Sequence, residues 1–147
     1  MKIYDISQEV FSCEAYPGDP KPRAEAVERI REGSPYNLSS FSMCAHNGTH
    51  LDAPFHFLDE GDTVEQIPLE SVIGDAFVVE TKGILRAKEA EDILRRACSA
   101  GRDSEKRILL KGDGEISLPA AEVFAENGIL LIGTEKTSVG QSDAPMA

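Results

Sequence analysis

A continuous apolar run near the end of the sequence narrows the choice of fold more than any other segment. Residues 129–133 read I-L-L-I-G, without the alternation of apolar and polar residues that a half-exposed strand shows. A run of this kind is expected for a strand that is buried on both faces, because each face then needs apolar side chains. Residues 129–133 therefore predict a buried strand.

Two helices are predicted before this run. Residues 87–100 carry an apolar stripe with the charged residues largely off it, and Gly101 follows as a residue that often ends helices. Residues 118–127 predict a second helix, because Pro119 lies near its start and Gly128 comes directly after it. The stripe of the first helix consists of Ala90, Ile93, Leu94 and Ala97.

Strands are predicted between and before the helices. Residues 24–31 fit either a short helix by propensity or a strand, and residues 67–72 indicate a short helical turn. Strands interleaved with helices give an α/β or an α+β fold, and 147 residues is a usual length for a single domain over 1–147. The other predicted strands are residues 2–6, 36–43, 76–81 and 107–111.

The composition argues against several classes of partner and location. The net charge of −11 disfavours nucleic acids and membranes as partners, because phosphates and anionic lipids repel an acidic protein. No apolar run approaches the roughly 20 residues that span a bilayer, and the first residues lack the apolar core of a signal peptide. Three cysteines without a C-x-x-C pair argue against a disulfide framework, so we expect a cytoplasmic protein.

All three histidines lie within residues 46–56, and Asp52 lies among them. Neutral imidazole is the commonest protein ligand for metals, and this set suits a divalent ion such as Zn²⁺ or Mn²⁺. The spacing of His46 and His50 matches a helical H-E-x-x-H site, but no glutamate follows His46 and Gly48 is unfavourable inside a helix. We therefore predict an irregular loop after a strand, in which Gly48 permits a sharp turn.

This segment also resembles a known family. Residues 46–57 read H-N-G-T-H-L-D-A-P-F-H-F, similar to the H-x-G-T-H-x-D-x-P-x-H-F signature of the metal-dependent cyclase-like hydrolases, which include the bacterial kynurenine formamidases (arylformamidases). The resemblance extends from Y-D-I-S at residues 4–7 to L-I-G-T-E-K-T-S-V at residues 131–139. It implies a swivelling β/β/α-type α/β fold, with a mixed, partly barrel-like sheet and flanking helices.

The resemblance assigns roles to particular residues. It implies that His56 transfers protons and that Tyr16, in a Y-P-G-D turn similar to the family's W-P-G-D, lines the substrate pocket. Glu135 and Ser138 are further candidates, because the family carries an acidic residue and a serine near the site in the loop after residue 133. The implied metal ligands are His46, His50 and Asp52, with Asp52 able to bridge two ions.

Two departures from the family matter. Tyr16 replaces the tryptophan of the formamidases, so the resemblance does not carry over N-formylkynurenine as the substrate. Family members continue for several tens of residues beyond the position of Ala147 and carry a further His and Glu that complete a second metal site. This shortness leaves three alternatives: the chain is a truncated member, it keeps one metal, or a neighbouring chain completes the site. We also expect a homodimer or larger assembly that covers an exposed sheet edge or apolar face.

The predicted activity is hydrolysis of an amide, formamide or ester bond in a small molecule. A divalent ion, Zn²⁺ before Mn²⁺, would polarise the scissile carbonyl and activate a water, while His56 acts as general base and then as general acid. A lactone- or ring-directed hydrolase or cyclase is a variant within the same class. The alternative from another class is a catalytically silent metal-binding remnant or regulatory subunit.

Overall fold

The computed structural model describes residues 3–101 and 104–140. Within these ranges the chain forms seven β-strands and three α-helices, joined by loops and short 3₁₀ turns. The mixed α/β class predicted from the sequence is therefore confirmed. The chain divides into two compact units, residues 1–64 and residues 65–147. A single domain over 1–147 stays a prediction.

The first unit is built on one antiparallel hairpin. Strand β1 (Arg23–Glu28) pairs with strand β2 (Leu38–Ser42), so the ambiguous segment 24–31 forms a strand and then a 3₁₀ turn at Ile30–Glu32. The strand predicted at 2–6 is wrong over residues 3–6, which have no regular structure, and Lys2 lies outside the described residues. A strand forms only as part of a sheet, and the sheets of the described residues do not include residues 3–6.

The second unit contains a three-stranded parallel sheet, which consists of β3 (Phe77–Thr81), β5 (Arg107–Gly112) and β7 (Leu131–Thr134) in that order. Strands β4 (Ile84–Leu85) and β6 (Glu115–Ile116) form a separate two-stranded parallel sheet. Parallel neighbours need a crossover connection, and here the crossovers contain the helices.

Helices α2 (Ala87–Ala100) and α3 (Leu118–Glu126) follow the predicted bounds closely, and α1 (Leu69–Val72) is the expected short turn. The four residues of the predicted stripe of α2 are buried. No helix among residues 3–101 and 104–140 has the length and apolar content needed to cross a bilayer. The core of the unit consists of Val79, Leu85, Ala90, Ile93, Leu94, Ala97, Ile108, Leu110, Ile116, Ala120 and Phe124.

Two expectations about the sheets differ from what is observed. Strand β7, predicted to be buried on both faces, is half-buried along its length, and within residues 3–101 and 104–140 its one strand partner is β5. The buried strand is β5, which lies between β3 and β7 and carries Ile108 and Leu110 at 0% and 2% exposure. The described strands pair in three separate sheets, so a barrel-like closure is not among the observed pairings.

Candidate metal centre

The histidine loop lies within the first unit and follows β2 directly, as predicted. Residues 43–53 are irregular, and a 3₁₀ turn at Pro54–His56 comes after them. Asn47 closes the first turn of the loop, because its side-chain oxygen accepts from the Cys44 N–H at 2.8 Å and its own N–H donates to the Cys44 carbonyl at 3.1 Å. Asn47 is buried, unlike the other described residues of 3–64.

The loop brings three potential ligand atoms together. The Nδ1 atom of His46 lies 3.2 Å from Nε2 of His50 and 3.0 Å from Oδ1 of Asp52. The Nε2 atom of His50 lies 3.4 Å from the same Asp52 oxygen. Among the described residues, these three form the group of His, Cys, Asp and Glu side chains whose atoms converge closely enough to hold a metal ion.

A backbone carbonyl decides which nitrogen of His50 carries a proton. The Nδ1 atom of His50 lies 2.9 Å from the Gly48 carbonyl oxygen, which can only accept, so Nδ1 donates. A neutral imidazole has one N–H, so Nε2 presents a lone pair to His46 and Asp52. Metal-binding histidines commonly donate their other N–H to a carbonyl or carboxylate in this way. His50 is therefore oriented as a ligand.

The spacing and chemistry of these atoms fit a divalent cation. Neighbouring ligand atoms of a tetrahedral zinc site, with bonds of about 2.0–2.1 Å, lie about 3.3 Å apart. The observed separations are 3.0, 3.2 and 3.4 Å. When both imidazole rings are neutral, at most one of the three facing atoms carries a proton. The other two then face each other with lone pairs, and a cation between them relieves that repulsion. The donor set, two imidazoles and a carboxylate, is one that zinc takes.

His56 lies beside this group without joining it. Its ring centroid is 4.2 Å from that of His46 and 4.3 Å from that of Phe57. The 3₁₀ turn positions it, because the His56 N–H donates to the Ala53 carbonyl at 2.9 Å and Pro54 begins the turn. His56 is exposed. A proton-transfer group must come within hydrogen-bond reach of the reacting atoms, and that role of His56 stays a prediction.

The sequence that forms this loop matches a known protein family. A family model described as "Putative cyclase" matches residues 4–141. The chain belongs to this family. The match spans nearly the whole sequence and includes the complete histidine loop.

Two curated relatives of this cyclase-family chain are kynurenine formamidases. The kynurenine formamidase of Erythrobacter litoralis (strain HTCC2594) is 33% identical over 97% of the chain and 69% of the relative. That of Salinibacter ruber (strain DSM 13855 / M31) is 30% identical over 98% of the chain and 73% of the relative. The predicted family is confirmed, and the chain is a cyclase-like hydrolase.

A solved structure has a similar fold. It is described as a potential metal-dependent hydrolase with cyclase activity and superposes with a TM-score of 0.68, over 97% of this chain and 71% of that structure. The two sequences are 20% identical, so this likeness concerns the fold alone. The case for a divalent metal therefore comes from this chain's own residues, since His46, His50 and Asp52 converge closely enough to hold one.

The turn that carries Tyr16 is connected to the start of the histidine loop. The Asp19 N–H donates to the Tyr16 carbonyl at 3.0 Å, and Gly18 between them has a φ of +99°. The Cys44 thiol donates to Oδ2 of Asp19 at 3.4 Å, which links this turn to the residue two before His46. The Tyr16 side chain is about half exposed, and a role in binding substrate stays a prediction.

Glu135 and Ser138 lie in the second unit, where each already has a partner. Oε2 of Glu135 accepts from the Gly112 N–H at 2.6 Å, and the Ser138 hydroxyl donates to the Gly140 carbonyl at 3.2 Å. Their functional roles stay predictions. The sequence does not identify the carbonyl of Gly48 as the group that orients His50, because every residue has a backbone carbonyl whatever its side chain.

Proposed function

We propose that this cyclase-family chain hydrolyses an amide, formamide or ester bond in a small molecule, using a divalent ion held by His46, His50 and Asp52. One observation supports the proposal above the others: the three ligand atoms lie 3.0–3.4 Å apart with the His50 lone pair facing inward. The curated relatives, named as kynurenine formamidases, favour a formamide among these bonds.

The proposed chemistry divides between the ion and the protein. A divalent ion bound there supplies Lewis-acid polarisation of the scissile carbonyl and activation of a water. His56 takes a proton from the water and returns it to the leaving nitrogen or oxygen, a role that its exposed position beside His46 allows. The side chains of His46, His50 and Asp52 are 28%, 29% and 45% exposed, which leaves one side of the group open to substrate.

We propose Zn²⁺ as the ion, with Mn²⁺ as the second choice. Two imidazole nitrogens and one carboxylate oxygen form a three-ligand set that leaves a further position open, as catalytic zinc sites do. Mn²⁺ prefers more oxygen ligands than this group offers. Elemental analysis of protein purified without chelator distinguishes the two ions directly, and we expect one equivalent of zinc per chain.

Two histidine variants test the assignment of roles. His50→Ala is expected to lose the metal, because a ligand and its inward lone pair are removed. His56→Ala is expected to keep the metal and lose turnover, because a proton-transfer group is removed instead. The two variants serve as controls for each other, with metal content and hydrolysis of aryl formamides and small esters measured on both. Equal metal content and equal turnover in both variants would contradict the assignment.

The assays also separate the rival functions. Metal binding without turnover of formamides, esters or lactones would favour a catalytically silent metal-binding subunit. Turnover of lactones alone would favour a ring-directed hydrolase within the same class. Hydrolysis of aryl formamides that is lost on chelation and regained with Zn²⁺ is the expected result.

We also propose that the chain forms a homodimer or a larger homo-oligomer. The hairpin supports this, because both of its strands are exposed over nearly all residues and Phe41 of β2 is 67% exposed. Exposed apolar side chains on a two-stranded sheet favour association with another surface. Light scattering after size exclusion would measure the mass, and Phe41→Ser is expected to shift it toward the monomer.

The finer description of the fold belongs to the same proposal. We infer a swivelling β/β/α architecture with a sheet that curls toward a barrel, an inference supported by the family match over residues 4–141. A crystal structure of the purified protein is the test. Strand pairings limited to the three separate sheets described above would contradict the barrel-like curl.

A further inference from the structure

A short turn near the start of the chain lies against β2. In residues 9–13 the Cys13 N–H donates to the Glu9 carbonyl at 3.0 Å, which closes the turn. The ring of Phe11 packs edge-on against the ring of Phe41 in β2, with centroids 6.4 Å apart and planes at 80°. The turn is therefore attached to the strand that leads into the histidine loop.

Two hydrogen bonds join this part of the chain to the middle of the histidine loop. The Gly48 N–H donates to Sγ of Cys13 at 3.1 Å, and the Gln8 N–H donates to Oγ1 of Thr49 at 2.8 Å. The thiol of Cys13 donates its own proton to the Val10 carbonyl at 3.3 Å, which leaves the sulfur lone pairs for Gly48. Both bonds end on the two residues between Asn47 and His50.

The hydrogen bond to Gly48 is important because the carbonyl of Gly48 in turn contacts His50. Glycine has the widest choice of backbone conformations, and Gly48 adopts a left-handed one with a φ of +70°. Its N–H is bonded to Cys13 and its carbonyl accepts from Nδ1 of His50 at 2.9 Å. Holding the N–H limits the rotation of the residue whose carbonyl sets the tautomer of His50.

We propose that Cys13 is a positioning residue for the candidate metal centre, acting through Gly48 on the orientation and tautomer of His50. This inference rests on the proposed function, since it assigns a supporting role in the same site. Cys13 contacts neither the ion nor the substrate in this scheme. The sulfur of Cys13 restrains Gly48, which could otherwise turn its carbonyl away from His50. With Gly48 restrained, the lone pair on Nε2 of His50 points at His46 and Asp52 in most molecules.

Metal affinity in three cysteine variants provides the first test. Cys13→Ala removes the acceptor, Cys13→Ser replaces it with another acceptor, and Cys98→Ala removes an exposed thiol from the second unit as the matched control. We expect Cys13→Ala to weaken Zn²⁺ binding about 3- to 10-fold, less than the roughly 10- to 100-fold typical of direct partners of a ligand. Cys13→Ser should recover most of the loss, and Cys98→Ala should bind like the unaltered protein.

Nitrogen NMR of the metal-free protein measures the tautomer of His50, which a general loss of stability does not change. At a pH where the ring is neutral, the unaltered protein and Cys13→Ser should show the proton on Nδ1. Cys13→Ala should show a mixture of the two tautomers while the protein is still folded. If Cys13→Ala does not fold, hydrogen exchange at the Gly48 amide of the unaltered protein takes the place of the tautomer measurement. We expect that amide to be protected from exchange.

The outcomes distinguish this inference from the proposed function. Unaltered protein that binds no divalent ion would overturn the proposed function, and this inference with it. Unaltered protein that binds Zn²⁺, together with equal affinity and one tautomer in Cys13→Ala, would overturn the role of Cys13 alone. An unprotected Gly48 amide would also overturn it. Weaker binding with mixed tautomers, restored by serine, supports it.

Discussion

The Nδ1 atom of His46 lies 3.0 Å from Oδ1 of Asp52, and the two residues are joined by a loop of five others. This contact places an imidazole nitrogen and a carboxylate oxygen at the separation of neighbouring ligands on one cation. Among the three converging side chains of the candidate centre, Asp52 is the one that carries a negative charge. The charge on Asp52 should therefore contribute much of the affinity for a divalent ion.

The first prediction concerns that charge. Asp52→Asn keeps the shape of the side chain and removes its negative charge, so we expect Zn²⁺ affinity to fall by at least about 100-fold, the upper end of what outer partners of a ligand contribute. Asp59→Asn is the matched control, because it removes the same charge from an exposed polar turn of the same unit. Competition titration with a zinc chelator measures both. Similar losses in the two variants would indicate a general effect of charge.

The second prediction concerns the backbone of Gly48. Its φ of +70° disfavours any side chain, so Gly48→Ala should cost about 1–2 kcal/mol of folding free energy. Relief of that strain turns the carbonyl away from His50 Nδ1, so Zn²⁺ affinity should also fall about 10- to 100-fold. Gly83→Ala is the control, since Gly83 has a φ of +64° and open space around it in the second unit.

Denaturant unfolding and zinc titration together check this prediction. Both variants should lose similar folding free energy, and only Gly48→Ala should lose metal affinity. A loss of affinity in Gly83→Ala would contradict a local role for Gly48.

The third prediction concerns the link between Cys44 and Asp19. The thiol donates to Oδ2 of Asp19 at 3.4 Å and so ties the Tyr16 turn to the histidine loop. Cys44→Ala should raise KM about 5-fold, the equivalent of one hydrogen bond of about 1 kcal/mol, with metal content unchanged. Steady-state kinetics on an aryl formamide measures this, and Cys98→Ala is the control. A loss of metal in Cys44→Ala would instead indicate that its thiol supports the ligands.

The fourth prediction concerns pH and the turn that precedes the loop. The Ser12 hydroxyl and then the Phe11 N–H lower the pKa of the Glu9 carboxyl below its ordinary 4.5, because both donate to the ionised form. Because the pKa of Glu9 is lower in the folded state than in the unfolded state, Glu9 stabilises the turn at pH values above its unfolded-state pKa. This stabilisation is lost as the pH falls through its folded-state pKa. The turn should therefore loosen below pH 4.5.

Carbon NMR titration of the Glu9 carboxyl checks the direction of this shift. Ser12→Ala removes the leading donor and should return the pKa of Glu9 toward 4.5. A titration midpoint of Glu9 that is unchanged by Ser12→Ala would contradict the assigned cause. Because Cys13 closes the same turn on the Glu9 carbonyl, the Gly48 amide of the unaltered protein should lose protection at low pH, measured as its exchange rate relative to that of an unstructured amide at the same pH.

Much of the candidate site could be predicted from the sequence because its parts are close along the chain. His46, His50 and Asp52 lie within seven residues, so one irregular loop is enough to bring their ligand atoms within 4.8 Å of one another. The helix over Ala87–Ala100 was predictable for a related reason, since its apolar stripe and Gly101 are local signals. The functional roles of these side chains stay predictions until metal content and turnover are measured.

The sequence alone determined the features that neighbouring residues control: the composition of the histidine loop, the two longer helices and the α/β class. Only the tertiary structure decided how the strands pair: residues 24–28 form part of β1, residues 3–6 form no strand, and β7 lies at the edge of its sheet as far as the described residues show it. It also decided that Cys13 meets Gly48 across 35 positions. The physical reason is that pairing between distant segments depends on the packing of the whole unit, which residue periodicity does not record.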